Sequence, residues 1–272
     1  MSVATVARLR RDVAAIRARL SPDRPVLSAL EVAVRAGITP DRWQADLLAS
    51  DDRQVILLCG RQSGKSTITA VLAARQAAYV ADSLVLLLSP SLRQSSELFR
   101  KCRDVLAALG DAAPPAVEES ALRLEFANGS RVVCLPGRES TIRGYSAPAL
   151  VIEDEASRVD DALYQAVRPM LATSRGRLIL LSTPWGKRGH FYETWERGGP
   201  DWNRVRVTAE EVPRISAEFL AAERAAIPDA VFRSEYLVEF VETQDQYFRE
   251  DDVDAAVTDA VAPLFGEVPH AA

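Results

Sequence analysis

The sequence predicts an α/β protein of the P-loop NTPase type, with a mainly parallel central sheet covered by helices on both faces. Uninterrupted apolar runs, "VILLC" at 55–59, "LVLLLS" at 84–89, "ALVIEDE" at 149–155 and "RLILLST" at 177–183, read as strands buried on both sides. Stretches of helical periodicity separate them, as the connections of a parallel sheet require. The first run leads directly into "GRQSGKST", a glycine-containing loop that opens a helix at Lys65.

Taken in order, residues 3–20 place Val3, Val6, Leu9, Val13, Ile16 and Leu20 at spacings of three and four, with arginines mostly on the other faces. This predicts a basic amphipathic helix over 1–24, either docked on its own domain or facing a partner or DNA. "SPDRP" at 21–25 breaks it, because two prolines in five residues are poor helix interior. After the first strand the pattern predicts helices from about Lys65 to Val80 and from Leu92 to Leu109, on either side of the second strand. "LRLEFANGSRVVCL" predicts a β-hairpin turning at Asn128-Gly129. A helical stretch near Asp161 to Leu171 precedes the last strand.

At 272 residues with 48% apolar composition, the chain can bury a sizeable core. No apolar run approaches the roughly 20 residues needed to span a bilayer, and the N-terminus lacks the apolar segment of a signal peptide, so a soluble cytoplasmic protein with no membrane partner is expected. Three cysteines without a CxxC pairing suit reduced thiols, and two histidines exclude a His-rich metal site. The net charge of −5 argues against a protein that coats nucleic acid through an overall basic surface. A local basic track built from a few side chains per subunit of a ring is compatible with it.

In a phosphate loop, backbone N–H groups and the helix N-terminus hold the phosphates, a lysine reaches the outer ones and a hydroxyl ligates Mg²⁺. Here Gly60, Arg61, Gln62, Ser63 and Gly64 form the loop, Lys65 and Ser66 take the last two roles, and Thr67 follows on the helix. The usual opening glycine is replaced by Cys59, with Gly60 one step late. "ALVIEDEAS" ends another strand in acids. Asp154 is placed to act on Mg²⁺ directly or through water, and Glu155 to orient the attacking water. Glu153 stands where the apolar strand would continue, and no catalytic role is expected of it. Ser182 and Thr183 end the next strand, where a polar pair either senses the outer phosphate or simply terminates the strand before Pro184. Gln44, after Trp43 in "TPDRWQADLL", is placed to pair with an adenine edge or to serve as a polar surface residue.

Together these residues resemble the ATPase domain of the large terminase subunit, the DNA-packaging motor of tailed bacteriophages. "GRQSGKST", "SPSLRQSSELFRK", "IRGYSAPALVIEDEAS", "LLSTPWGKRGHFYETW" and "FRSEYLVEFVETQDQYF" look like successive terminase segments, and the similarity runs from about Thr39 to Phe248. The resemblance implies ATP and Mg²⁺ as cofactors, and hydrolysis that drives double-stranded DNA into a procapsid. It also implies a homo-oligomeric ring when active, and the portal and small terminase subunit as partners. Arg61 would belong to the phosphate site and Ser182-Thr183-Pro184 to the coupling motif. Arg143, in "IRG" before the acidic strand, matches the position of an arginine finger reaching a neighbouring subunit, or else forms a surface ion pair. The ATPase domain is expected over 25–248. Large terminases continue into a two-metal nuclease; "REDDVD" opens 249–272, read as an acidic C-terminal tail or as the start of a missing nuclease domain or linker, and DNA cleavage is not expected of this chain.

Two other readings compete. A two-lobed helicase-like ATPase needs a second lobe, and fewer than ninety residues follow Thr183. A nucleotide-binding docking module without turnover has no use for both Asp154 and Glu155.

Overall fold

In the computed structural model the apolar runs become the centre of one sheet. The structure describes residues 12–13, 25–136, 142 and 144–241. The chain divides into two units, Met1–Val241 and Glu242–Ala272, and every described residue belongs to the first. The helix expected at 1–24 lies outside the described residues apart from Asp12 and Val13, which are helical and exposed; the tail at 249–272 lies wholly outside them.

Strands β1 (Gln54–Cys59), β2 (Leu84–Ser89), β3 (Ala116–Glu119), β4 (Arg123–Phe126), β5 (Arg131–Pro136), β6 (Leu150–Asp154), β7 (Arg177–Ser182) and β8 (Trp202–Val207) are those of the described residues. They pair in the order β3-β4-β5-β2-β6-β7-β1-β8. All neighbours run parallel except β3 with β4 and β4 with β5. The α-helices whose full extent lies among the described residues are α1 (Ala29–Arg35), α2 (Arg42–Ala49), α3 (Lys65–Tyr79), α4 (Leu92–Leu109), α5 (Asp161–Ser174), α6 (Gly189–Arg197), α7 (Ala217–Ala226) and α8 (Asp229–Glu235).

The sheet is covered on both faces, as its continuous apolar strands require. Val55, Leu57 and Cys59 of β1 face a core shared with α1 to α4, while Ile56 and Leu58 face a second core shared with α5 and α6. Helix α3 is buried nearly all round, which is why "ITAVLAA" carries no polar stripe. The predicted hairpin forms with Gly129 at φ +82°. Asn128 does more than turn the chain: its Nδ2 donates to the carbonyls of Ala77 (3.0 Å) and Ala78 (3.2 Å) at the end of α3, and its Oδ1 accepts from Ser130 N–H.

The topology positions the site. Strand β7 lies between β1, which leads into the loop, and β6, which ends in the acids. In the ladder Leu57 is level with Leu181, and Leu181 with Asp154. Ser182, one step further along β7, therefore emerges between the phosphate loop and the acidic pair, at the carboxyl ends of the strands where open α/β sheets bind ligands.

Candidate nucleotide-binding and catalytic site

The loop after β1 has the backbone its chemistry needs. Gly64 caps α3 at φ +86°, with no side chain capping the helix, so the Lys65 and Ser66 N–H groups stay available for an anion, while the Thr67 N–H donates to Gly64 O. Gln62 also holds a positive φ, 59°, a conformation that a non-glycine residue adopts at some cost. Cys59 in the usual glycine position is a fully buried core residue that extends β1, and burial pushes its thiol up to about 12. Gly60 is glycine for a different reason: a Cβ there would lie 3.3 Å from backbone atoms of Ala209, Glu235 and Tyr236. Its N–H donates to Val207 O, and the Arg61 N–H donates to Glu235 O. The displaced glycine thus belongs to the packing of the loop on the C-terminal part of the described fold.

The structure brings Lys65, Ser66, Asp154, Glu155 and Ser182 together. Lys65 Nζ is 3.6 Å from Glu155 Oε1, and Ser182 Oγ donates to Glu155 Oε2 at 3.3 Å. Asp154 is buried, and the neighbouring Ser66 side chain favours its charged form. Burial pushes the Asp154 carboxyl above the ordinary carboxylate range and Glu155 adds to the rise, opposed by Lys65, the Ser66 hydroxyl and Lys101. A cleft-lining hydroxyl beside a buried carboxylate suits a hard divalent cation that also binds phosphate oxygens. Glu155 adopts φ 55°, ψ 41°, so the strand turns sharply after Asp154 and the Glu155 carboxylate swings toward the loop.

Gln44 is buried beside the loop. Its Nε2 donates to Ser63 O (3.1 Å) and its Oε1 accepts from Asp41 N–H (2.9 Å). Arg214 reaches the same carbonyl at 3.2 Å while holding both Asp41 oxygens, at 2.7 and 2.8 Å. Arg61 pairs with Glu235 at 2.7 Å, and Arg158 lies 3.6 Å from the same carboxylate with its guanidinium over the Trp185 ring. Thr183 lines the cleft. Arg143 lies outside the described residues.

These groups surround a cleft of about 550 Å³. Arg61, Lys65, Lys101, Arg158 and Arg214 line it, against Glu155 as the one acid in its wall among the described residues. Such a charge balance selects a polyanion. The sequence reading did not single out Lys101, Arg158, Arg214 or Glu235 for the site. Arg158 has a local signal, three residues beyond Glu155, and Lys101 sits in "SPSLRQSSELFRK". Arg214 and Glu235 lie some 150 residues or more from the loop they touch, and no local pattern announces them.

A family profile described as terminase large subunit, T4likevirus-type, N-terminal, matches residues 56–254. The large terminase subunit of Thermus phage G20c is 27% identical over 248 residues, covering 78% of this chain and 51% of that protein. A probable large terminase subunit of Enterobacteria phage P7 is 34% identical over 100 residues, covering 34% of this chain and 20% of that one. The chain spans about half the length of the Thermus phage relative. Among solved structures, the large terminase ATPase domain of Thermus phage P74-26 matches with TM-score 0.69 at 24% identity, over 77% of this chain and 97% of that one. The ADP complex of the large terminase from a thermophilic bacteriophage matches with TM-score 0.60 at 10% identity, over 79% and 53%. At these identities the structural likeness speaks for the fold, which is that of the P-loop NTPases. With a family profile that takes in most of its length, the chain belongs to the terminase large-subunit family.

Proposed function

We propose that this chain is the ATP-hydrolysing motor part of a DNA-packaging terminase, which couples ATP turnover to movement of double-stranded DNA into a procapsid. The observation that carries the reading is the cationic cleft lined by the phosphate loop and Glu155, with Asp154 buried next to Glu155 at the end of β6. Lys65 and the loop N–H groups bind the phosphates. Ser66 and Asp154 would hold Mg²⁺, which when bound neutralises charge on the outer phosphate oxygens. Glu155 orients a water for in-line attack on the terminal phosphorus; the bond to the bridging oxygen breaks and its charge stays on ADP, beside Lys65. Ser182, hydrogen-bonded to Glu155, is placed to report loss of that phosphate along β7. Gln44 holds the loop through Ser63 O, and we infer that the N–H and lone pair left over serve an adenine edge.

The family relation supports a homo-oligomeric ring, with portal and small terminase subunit as partners and action in the host cytoplasm. Among the described residues no helix is long and apolar enough to cross a membrane. We assign the trans finger to Arg143, because Arg61, Arg158 and Arg214 are each held by a carboxylate of their own chain.

ATP turnover measured with and without duplex DNA tests the function. Turnover stimulated by duplex is expected. Glu155→Gln should bind ATP like the wild type while its hydrolysis falls by about 10²-fold or more, because an orienting group acts mainly in the transition state. Nucleotide binding with no turnover in the wild type, with or without DNA, would leave a passive binder instead of a motor.

A further inference from the structure

Glu153 is fully buried in the middle of the sheet, between Leu88 of β2 and Leu180 of β7, on the face that packs against α5 and α6. Its ladder partners Leu88 and Leu180 both belong to the hydrophobic core of that face, a setting that ordinarily excludes a carboxylate. One side chain answers it. His190, at the start of α6, brings Nε2 to 2.7 Å from Glu153 Oε1. The ring N–H is not aligned with that oxygen, and neither Glu153 oxygen has a hydrogen bond, so the two groups meet by close approach alone and form an ion pair when the imidazole is protonated. The far side of the ring is fixed. Nδ1 lies 3.1 Å from Asp161 Oδ1, the His190 backbone N–H donates to the same oxygen at 2.6 Å, and Tyr164 stacks on the ring at 4.6 Å. Arg168 in turn donates to the Tyr164 hydroxyl. Burial works against the charged imidazole, yet Glu153 and Asp161 together raise its pKa above the ordinary histidine value.

An ion pair is a poor way to stabilise a core, since apolar residues of similar volume at such sites are often as stable or more so. Its placement suggests another use. Glu153 directly precedes Asp154 and Glu155, and His190 begins the helix that follows the Ser182–Arg188 segment, whose Trp185 lies against Arg158 at the cleft. We propose that Glu153 and His190 are a positioning pair for ATP hydrolysis, clamping the end of β6 to the start of α6 so that Asp154 and Glu155 stay in register with Ser66, Lys65 and Ser182. An apolar contact tolerates sliding along the sheet; an ion pair between one buried carboxylate and one stacked ring does not, because Coulomb attraction in a poorly polarisable interior is steep with distance. A shift of about 1 Å at a reacting group costs on the order of 10²-fold in rate.

The inference rests on reading the cleft as an ATP site, and the test separates the two. The full chain is prepared as wild type, Glu153→Gln and the double variant Glu153→Leu with His190→Leu. Three quantities are measured: melting temperature, affinity for a fluorescent ATP analogue with Mg²⁺ and with EDTA, and kcat with KM. The double variant is expected to melt no lower than wild type. Its affinity in EDTA should be unchanged, while the gain in affinity on adding Mg²⁺ shrinks several-fold and kcat drops about tenfold or more at nearly constant KM. Glu153→Gln, which keeps the shape without the charge, should show the same losses in smaller measure, and it stands in should the double variant fail to fold. A folded variant whose Mg²⁺-dependent gain matches wild type, whatever its melting temperature, would reduce the pair to a structural contact. A wild type that binds nucleotide with a Mg²⁺ gain but does not turn it over would overturn the motor reading, and the pair would still be judged by that gain.

Discussion

At the scale of single residues, Gly64 shows how closely the site depends on backbone conformation. Its φ of +86° is one that L side chains rarely adopt, and a Cβ would lie 2.7 Å from Gln44 Nε2, the atom that holds the loop through Ser63 O. Gly64→Ala should therefore cost about 1–3 kcal/mol in backbone strain alone and displace the Gln44 amide. Nucleotide affinity, by fluorescence titration, should fall about tenfold or more, and adding Gln44→Ala should relieve the clash without restoring affinity. Wild-type affinity in Gly64→Ala would mean that the loop relaxes without loss. Lys65, Ser66, Asp154 and Glu155 were legible in the sequence because their placement follows from local chain geometry: a loop opening a helix, and acids ending a strand. Glu153 was legible only as an anomaly. Its partner lies 37 residues on, in the opening turn of a helix, and nothing about a lone histidine in "GKRGHF" announces a buried carboxylate opposite.

At the scale of elements, the hairpin between β4 and β5 is also the clasp on the far end of the phosphate-loop helix. Asn128 satisfies the Ala77 and Ala78 carbonyls, which a helix C-terminus otherwise leaves without partners, and Ser130 Oγ donates to Val80 O at 2.8 Å. Asn128→Ala removes the side-chain donor and strands two part-buried carbonyls, so a loss of about 1–3 kcal/mol is expected. Chemical denaturation should show it as a lower midpoint at unchanged slope, and an unchanged midpoint would mean that water serves those carbonyls as well. Helices Lys65–Tyr79 and Leu92–Leu109 could be placed almost to the residue, because each is long and bounded by a loop or a serine cap. Strand β8 gave no comparable signal. It is an edge strand paired on one side only, and "WNRVRV" mixes two arginines into six residues. Its burial comes from tertiary contacts such as Arg204, whose Nε donates to Trp195 O and whose Nη2 donates to Thr194 O.

At the scale of the whole molecule, the decisive question is whether one chain completes its own active site. Lys65 and four other cations line the cleft, but Arg61 is tied to Glu235, Arg158 shares that carboxylate while covering Trp185, and Arg214 is bidentate to Asp41. Freeing Arg214 for a transferring phosphate would leave Asp41 unpaired beside the loop, and freeing Arg61 and Arg158 together would do the same to Glu235, whereas an arginine brought by a neighbouring subunit carries no such cost within the chain. An added arginine contributes on the order of 10³-fold or more to phosphoryl transfer. If Arg143 supplies it in trans, specific activity should rise with protein concentration, and sedimentation should show assembly over the same range. Arg143→Ala should remove the rise while leaving nucleotide affinity of the monomer near wild type. Mixing sharpens the test, because Arg143→Ala subunits keep an intact Glu155 and Glu155→Gln subunits keep an intact Arg143. Each should be nearly inactive alone, and a co-assembled mixture should recover part of the activity at interfaces where an intact site meets an intact finger. Full activity of Arg143→Ala alone, at concentrations where the wild type is assembled, would move the finger to another arginine. Glu235→Gln then becomes the informative variant, since it releases Arg61 and Arg158 together and should raise monomer turnover if either acts in cis.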